Sequence, residues 1–89
     1  RVGAVGALRA HSTYAQFLSG RGHPEAAERE LREAERVGEP GWAFAYGRFL
    51  LDDGRVEDAR RCLQIAVDEG DRDALAALAE LDGVDVDEY

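Results

Sequence analysis

Two stretches decide the fold: Tyr14–Gly38, YAQFLSGRGHPEAAERELREAERVG, and Tyr46–Gly70, YGRFLLDDGRVEDARRCLQIAVDEG. Displaced by 32 positions, they place Tyr14 on Tyr46, Phe17 on Phe49, Leu18 on Leu50, Gly22 on Gly54 and Glu25 on Glu57. Ala27 then falls on Ala59, Arg29 on Arg61, Leu31 on Leu63, Ala34 on Ala66 and Gly38 on Gly70. These are ten identities in the 29 pairs from Tyr14/Tyr46 to Trp42/Ala74, where ordinary composition would give about two or three. A fixed period of this size marks a repeat architecture, in which each unit buries its apolar face on its neighbours. Working outward, Tyr46 falls on Leu78, Phe49 on Leu81, and Val37-Gly38 on Val5-Gly6. The period divides the chain into the end of a preceding repeat (1–9), repeat 1 (10–41), repeat 2 (42–73), the first helix of a further repeat (74–82) and an acidic tail (83–89).

Each repeat reads as two helices. Tyr14, Phe17 and Leu18 keep helical spacing in His11–Leu18, and Gly20 and Gly22 stop that helix. Pro24 suits the first turn of the next, where its missing N–H costs nothing, and Glu25 beside it suits the helix dipole. Ala27, Leu31 and Ala34 mark one buried stripe, while Glu25–Arg29 and Glu28–Arg32 are i,i+4 pairs in the favourable orientation. Gly38 closes the helix and Pro40 prevents its continuation. In repeat 2 the helices are Trp42–Leu51 and Val56–Glu69, with Asp52-Asp53-Gly54 as the turn, Ala59, Leu63 and Ala66 inward, and Gly70 as the close. Asp73 is the expected N-cap of a last helix, Ala74–Leu81, ended by Gly83. Val84–Tyr89 is expected to fray. The fold class is therefore all-α: an α-α superhelix, or solenoid, of antiparallel helical hairpins.

These residues resemble the tetratricopeptide repeat family over roughly residues 10–82. That family's small residue in the first helix, alanine twelve positions on and alanine seven further match Ala15, Ala27 and Ala34, and again Gly47, Ala59 and Ala66. Tyr14, Leu18 and Leu31, and Tyr46, Leu50 and Leu63, occupy its large apolar positions. The period is 32 rather than the family's usual ~34, and Glu39 and Asp71 replace its inter-repeat proline. That join, with Gly38 and Gly70, resembles the related SEL-one-like repeat. Both families are mainly scaffolds for protein–protein contacts, and in the tetratricopeptide family the first helices line a concave groove. The resemblance thus places Ser12, Gln16, Phe44, Arg48, Leu51, Asp52, Ala76 and Glu80 in a partner-binding groove. Phe44 lies two residues before Tyr46, so the two rings leave the helix on different sides. Phe44 then faces the groove beside Arg48, a usual hot-spot pairing, or packs against an adjacent helix. Trp42, whose equivalents Ala10 and Ala74 are small, is expected to wedge the join between repeats or to meet a partner.

Composition narrows the function. The 89 residues are 45% hydrophobic, carry a net charge of −8, and include no apolar run long enough to span a membrane. The chain starts with Arg1 and contains no methionine, which points to a segment of a longer protein. No signal-peptide pattern opens it, and the single Cys62 fits a reducing cytoplasm. Arginine supplies every basic residue, which together with abundant alanine and glycine suggests a GC-rich, bacterial source. Residues 1–67 balance ten arginines with ten acids, whereas residues 68–89 hold nine acids and only Arg72. That end should repel nucleic acid and anionic lipid and attract a basic partner, or simply keep the chain soluble.

Chemistry-bearing motifs are scarce. The glycines are spaced as helix stops, and neither HExxH nor CxxC occurs. His11 and His23 fall in separate segments, so no metal site is expected. Cys62 aligns with Glu30 and is expected at a helix flank, where neighbouring arginines would favour the thiolate. The Asp52-Asp53 and Glu57-Asp58 pairs read as turn and dipole features. No catalytic, cofactor-binding or metal residues are therefore assigned. The expected function is a protein-interaction scaffold that binds a peptide or protein segment in its groove. The alternative is a self-associating or regulatory segment of a larger signalling protein or enzyme, assembling through exposed repeat ends into a homo-oligomer.

Overall fold

The computed structural model describes residues 10–83. They form five α-helices: α1 (Ala10–Gly20), α2 (Pro24–Val37), α3 (Trp42–Asp52), α4 (Val56–Asp68) and α5 (Arg72–Leu81). No strand occurs among the described residues. The expected end of a preceding repeat (1–9) and the frayed Val84–Tyr89 lie outside the described residues. Each helix packs on the next, and α1 also touches α3.

One device closes four of the five helices. The amides of Gly22, Gly38, Gly54 and Gly70 bond to the carbonyls of Ser19, Glu35, Leu51 and Val67. The next amides, of His23, Glu39, Arg55 and Asp71, reach back to Leu18, Ala34, Leu50 and Ala66 at 2.9–3.0 Å. This double bond pattern needs a left-handed residue at the turn, and the four glycines supply φ values of 70–96° without a Cβ penalty. The closing glycines recur every 16 residues, so both helices of a hairpin end in the same way. Sequence reading recognised only the 32-residue period.

Helix starts are less uniform. Pro24 opens α2, with Glu25 in its first turn and Arg36 in its last. The first amides of α1 are met from a distance, because the Glu39 carboxylate accepts from His11 N and Ser12 N, each at 2.8 Å. For α5 the cap is Asp71, whose Oδ1 accepts from Ala74 N at 3.1 Å. This corrects the assignment of Asp73, which sits inside the first turn because the helix begins two residues earlier, at Arg72.

Two clusters make the core. The first joins Ala15, Ala27, Leu31, Tyr46, Leu50, Ala59 and Cys62; the second joins Ala43, Leu63, Ala66, Ala74 and Leu78. Trp42 packs against both, as expected of a wedge at the join. Ala27, Ala34, Ala59 and Ala66 are buried where helices approach closely. Gly47 is the tightest such place: a Cβ there would lie 2.8 Å from Leu63 Cγ and Cδ2.

One core expectation is corrected. Cys62 is only 2% exposed rather than at a flank. It belongs to the stripe Ala59, Cys62, Leu63, Ala66, whose three- and four-residue spacing turns all of them inward. Burial pushes its thiol above the ordinary value, against the opposing pull of Arg61, which removes the basis for a reactive thiolate. Tyr14 and Phe17, which keep helical spacing in the first helix, are 50% and 55% exposed. The buried side of α1 is instead Ser12 and Ala15. Tyr46 is buried because α2 lies against it, and no described helix occupies the corresponding place beside α1.

Candidate functional site

Ser12, Ala15, Gln16 and Ser19 share one side of α1, since spacings of three and four residues return to the same face of a helix. On α3, Phe44, Ala45, Arg48, Phe49 and Asp52 share another. Where α1 and α3 meet, these two sets, with Leu31 of α2 beneath, line a pocket of about 300 Å³. Its floor is apolar and its rim holds one cation, one anion and three neutral polar side chains.

Five of the eight sequence-assigned groove residues therefore come together: Ser12, Gln16, Phe44, Arg48 and Asp52. The other three do not. Leu51 is partly buried and packs against both core clusters, filling the gap between them. Ala76 and Glu80 are exposed on α5, which packs on α4 and contributes nothing to this pocket. The arrangement of Arg48 and Glu80 as opposite charges of one groove is thereby replaced by Arg48 and Asp52. Both alternatives for Phe44 are realised at once: its ring packs against the second core cluster and also lines the pocket. The Arg48 guanidinium carbon sits 5.9 Å from the Phe44 ring centroid, a cation–π distance. Neither Arg48 nor Asp52 joins an ion pair among the described residues.

One end of the pocket is tied by hydrogen bonds to Glu39, in the turn after α2. Burial raises the Glu39 carboxyl, but Ser12 and the amides of Ser12 and His11 outweigh it and hold the group below its ordinary value. Ser12 Oγ lies near enough to favour that charge, yet it is buried and its geometry falls short of a hydrogen bond. His11 Nδ1 lies 2.8 Å from Glu30 Oε1, and this contact raises the imidazole above its ordinary value.

A second polar cluster, missed in the sequence, ties the two repeats together. Glu28 accepts from Arg55 at 2.8 and 2.9 Å and from the Tyr46 hydroxyl at 2.7 Å. It also takes Arg32 at 3.3 Å, the i,i+4 contact that spacing had suggested. The Arg55 fork, with Tyr46 adding a hydrogen bond, holds the Glu28 carboxyl at about 2. The companion pair Glu25–Arg29 forms no ion pair among the described residues. At the equivalent position in α4 stands Arg60, which bonds to Asp82 beyond α5. The same position thus clamps the following repeat twice, with the charges reversed. A period search scores that reversal as a mismatch, which is why it escaped notice.

Nothing matches. Neither a family model, a curated protein nor a solved structure aligns with this chain. Among the described residues no cluster of three or more metal-ligating side chains occurs, and no described helix is long and apolar enough to cross a membrane.

Proposed function

We propose that this chain is a protein-interaction module of the tetratricopeptide kind, a stack of helical hairpins coiling into a superhelix that takes up an extended peptide segment between α1 and α3. The observation that carries the reading is the pocket itself. Five positions chosen by repeat alignment converge on it from two helices, around an aromatic ring covered by an arginine. Phe44 and Phe49 offer apolar area, Arg48 a fork for a backbone carbonyl or carboxylate, and Asp52, which joins no ion pair among the described residues, an anion for a basic side chain. The acidic C-terminal end adds long-range attraction for a basic partner. No nucleophile–base pair or cofactor cradle is assigned, so the module binds rather than catalyses. The single cysteine fits a cytoplasmic setting.

The test is selection from a displayed random-peptide library. The chain should enrich segments that combine an apolar and a basic residue. Phe44→Ala should weaken the selected peptides by more than about 1 kcal/mol without loss of helicity. Binding that survives both Phe44→Ala and Arg48→Ala would remove the groove from consideration. A second reading, a regulatory or self-assembling segment joined through its repeat ends, draws support from the open aromatic side of α1.

A further inference from the structure

Along α3 the pocket-lining side chains Phe44, Arg48 and Asp52 stand one above another, each about 6 Å from the next along the helix axis. Arg48 has two partners within reach on this face, the Phe44 ring one turn before it and the Asp52 carboxylate one turn after it. Its guanidinium lies against the ring, 5.9 Å from the centroid, and forms no ion pair with Asp52. An acid C-terminal to its base is the weaker orientation of an i,i+4 pair, which favours the ring. Asp52 is also the last residue of α3, and no basic residue stands in that final turn. The helix dipole disfavours an anion there. The neighbouring Asp53 is held by Arg55 at 3.5 Å, whereas Asp52 joins no ion pair among the described residues. The face thus offers a ring, a cation and an anion in fixed order, with both charged residues exposed.

The size of the pocket limits what can read that order. One turn of helix with its side chains, about 10 Å across and 5.4 Å long, encloses roughly 400 Å³. That is more than a pocket of about 300 Å³ between two touching helices admits. An extended chain is narrower, and its period matches. Its alternate residues share one side about 6.6–6.8 Å apart, close to the spacing along α3, and the intervening side chains point away. Residues i, i+2 and i+4 of such a segment fall on Phe44, Arg48 and Asp52 in turn. Gln16 and Ser19 of α1, also in the lining, both donate and accept, as a peptide backbone requires.

We propose that the groove reads an extended segment with an apolar, an acidic and a basic side chain at alternate positions, in that order. The apolar residue sits on Phe44, the acid on Arg48 and the base on Asp52. This rests on the groove reading and adds to it the order of charges. The base also meets the carbonyl end of α3, so an anion that the helix disfavours becomes half of a pair.

The test titrates two end-blocked peptides of equal composition, Leu-Ser-Glu-Ser-Lys and Leu-Ser-Lys-Ser-Glu, into the full chain, followed by amide resonances. Each is also made in reversed sequence, because side chains set the order and the backbone can run either way. In the better-binding direction the acid-centred peptide should shift Phe44, Arg48 and Asp52. It should bind at least about fivefold more tightly than the base-centred one, which sets like charges against both groups. Asp52→Asn should weaken the acid-centred peptide at least about twofold and leave its version with glutamine in place of lysine unchanged. Equal affinity for the two orders, or an Asp52→Asn loss that is the same for both lysine and glutamine peptides, overturns the proposal. If Phe44→Ala still abolishes that binding, the groove reading stands without the order. No saturable binding of any of these peptides into the millimolar range also overturns it, while the peptides selected from a library decide the groove reading separately.

Discussion

Tyr14-to-Phe17 and Tyr46-to-Phe49 are the same pair of side chains at the same spacing, yet the first pair lies on the surface and Tyr46 lies in the core. Repeat 1 and repeat 2 are thus alike in what they encode and unlike in what they bury. In a stack, burial belongs to the contact between neighbours rather than to the residue. The burial has a polar counterpart: Tyr46 donates to a carboxylate that also holds Arg55.

The comparison can be broken in four ways. The hairpin interiors should be equivalent, so Leu31→Ala and Leu63→Ala should each cost roughly 2–5 kcal/mol in denaturant unfolding, both being almost fully buried. A loss confined to one of them would show that the repeats do not share a core. Next comes the close approach. Gly47→Ala gives repeat 2 the alanine that repeat 1 has at Ala15, but its Cβ would press on Leu63. It should cost about 1–3 kcal/mol, and a neutral outcome would mean that α3 and α4 slide apart freely.

The third concerns the clamp. Because the Glu28 carboxyl falls from 4.5 to about 2 on folding, its stabilisation is complete above the unfolded value and disappears as pH drops towards 2. Glu28→Gln should therefore cost about 1–3 kcal/mol at neutral pH, the range allowing for the partly exposed Arg55. It should also flatten the acid limb of a stability–pH profile. An unchanged acid limb would assign the acid sensitivity to other carboxylates. The smallest effect is the most direct: Tyr46→Phe should lose about 1–2 kcal/mol, and Tyr14→Phe less than about 0.5 kcal/mol. Equal losses would mean that the Tyr14 hydroxyl is also engaged.

Helix positions, turn glycines and the alanine contacts could be read from the sequence because each is a local requirement repeated twice. The inward stripe of α2 needed only the spacing of Ala27, Leu31 and Ala34. Five groove residues came from the resemblance to the tetratricopeptide repeat, which implies that the first helices, here α1 and α3, line one groove. What could not be read depends on particular neighbours. Tyr14 looked like Tyr46 because identity in a repeat records an interface type, not the presence of the second partner. Cys62 looked like Glu30, yet Glu30 pairs with His11 at the edge while Cys62 fills a core space beside Tyr46 and Leu50. Glu39 and Asp71 stand at one alignment position and cap different helices: Glu39 reaches α1, 27 and 28 residues back, and Asp71 caps α5 at its own start. Ala76 and Glu80 were carried into the groove by alignment alone, whereas α5 packs on α4 and the pocket is lined by α1, α2 and α3.

The glycine closures at Gly22, Gly38, Gly54 and Gly70 act as a ruler with two kinds of graduation. Inserting or deleting one residue between marks turns everything beyond it by about 100°, breaking whichever clamps span the change: Glu39 to α1, Glu28 to Arg55, or Arg60 to Asp82. A block of 16 residues keeps every closure intact but exchanges a groove-lining helix for a covering one. A block of 32 preserves closures and faces alike. The molecule can therefore lengthen by whole hairpins without any change to its turns.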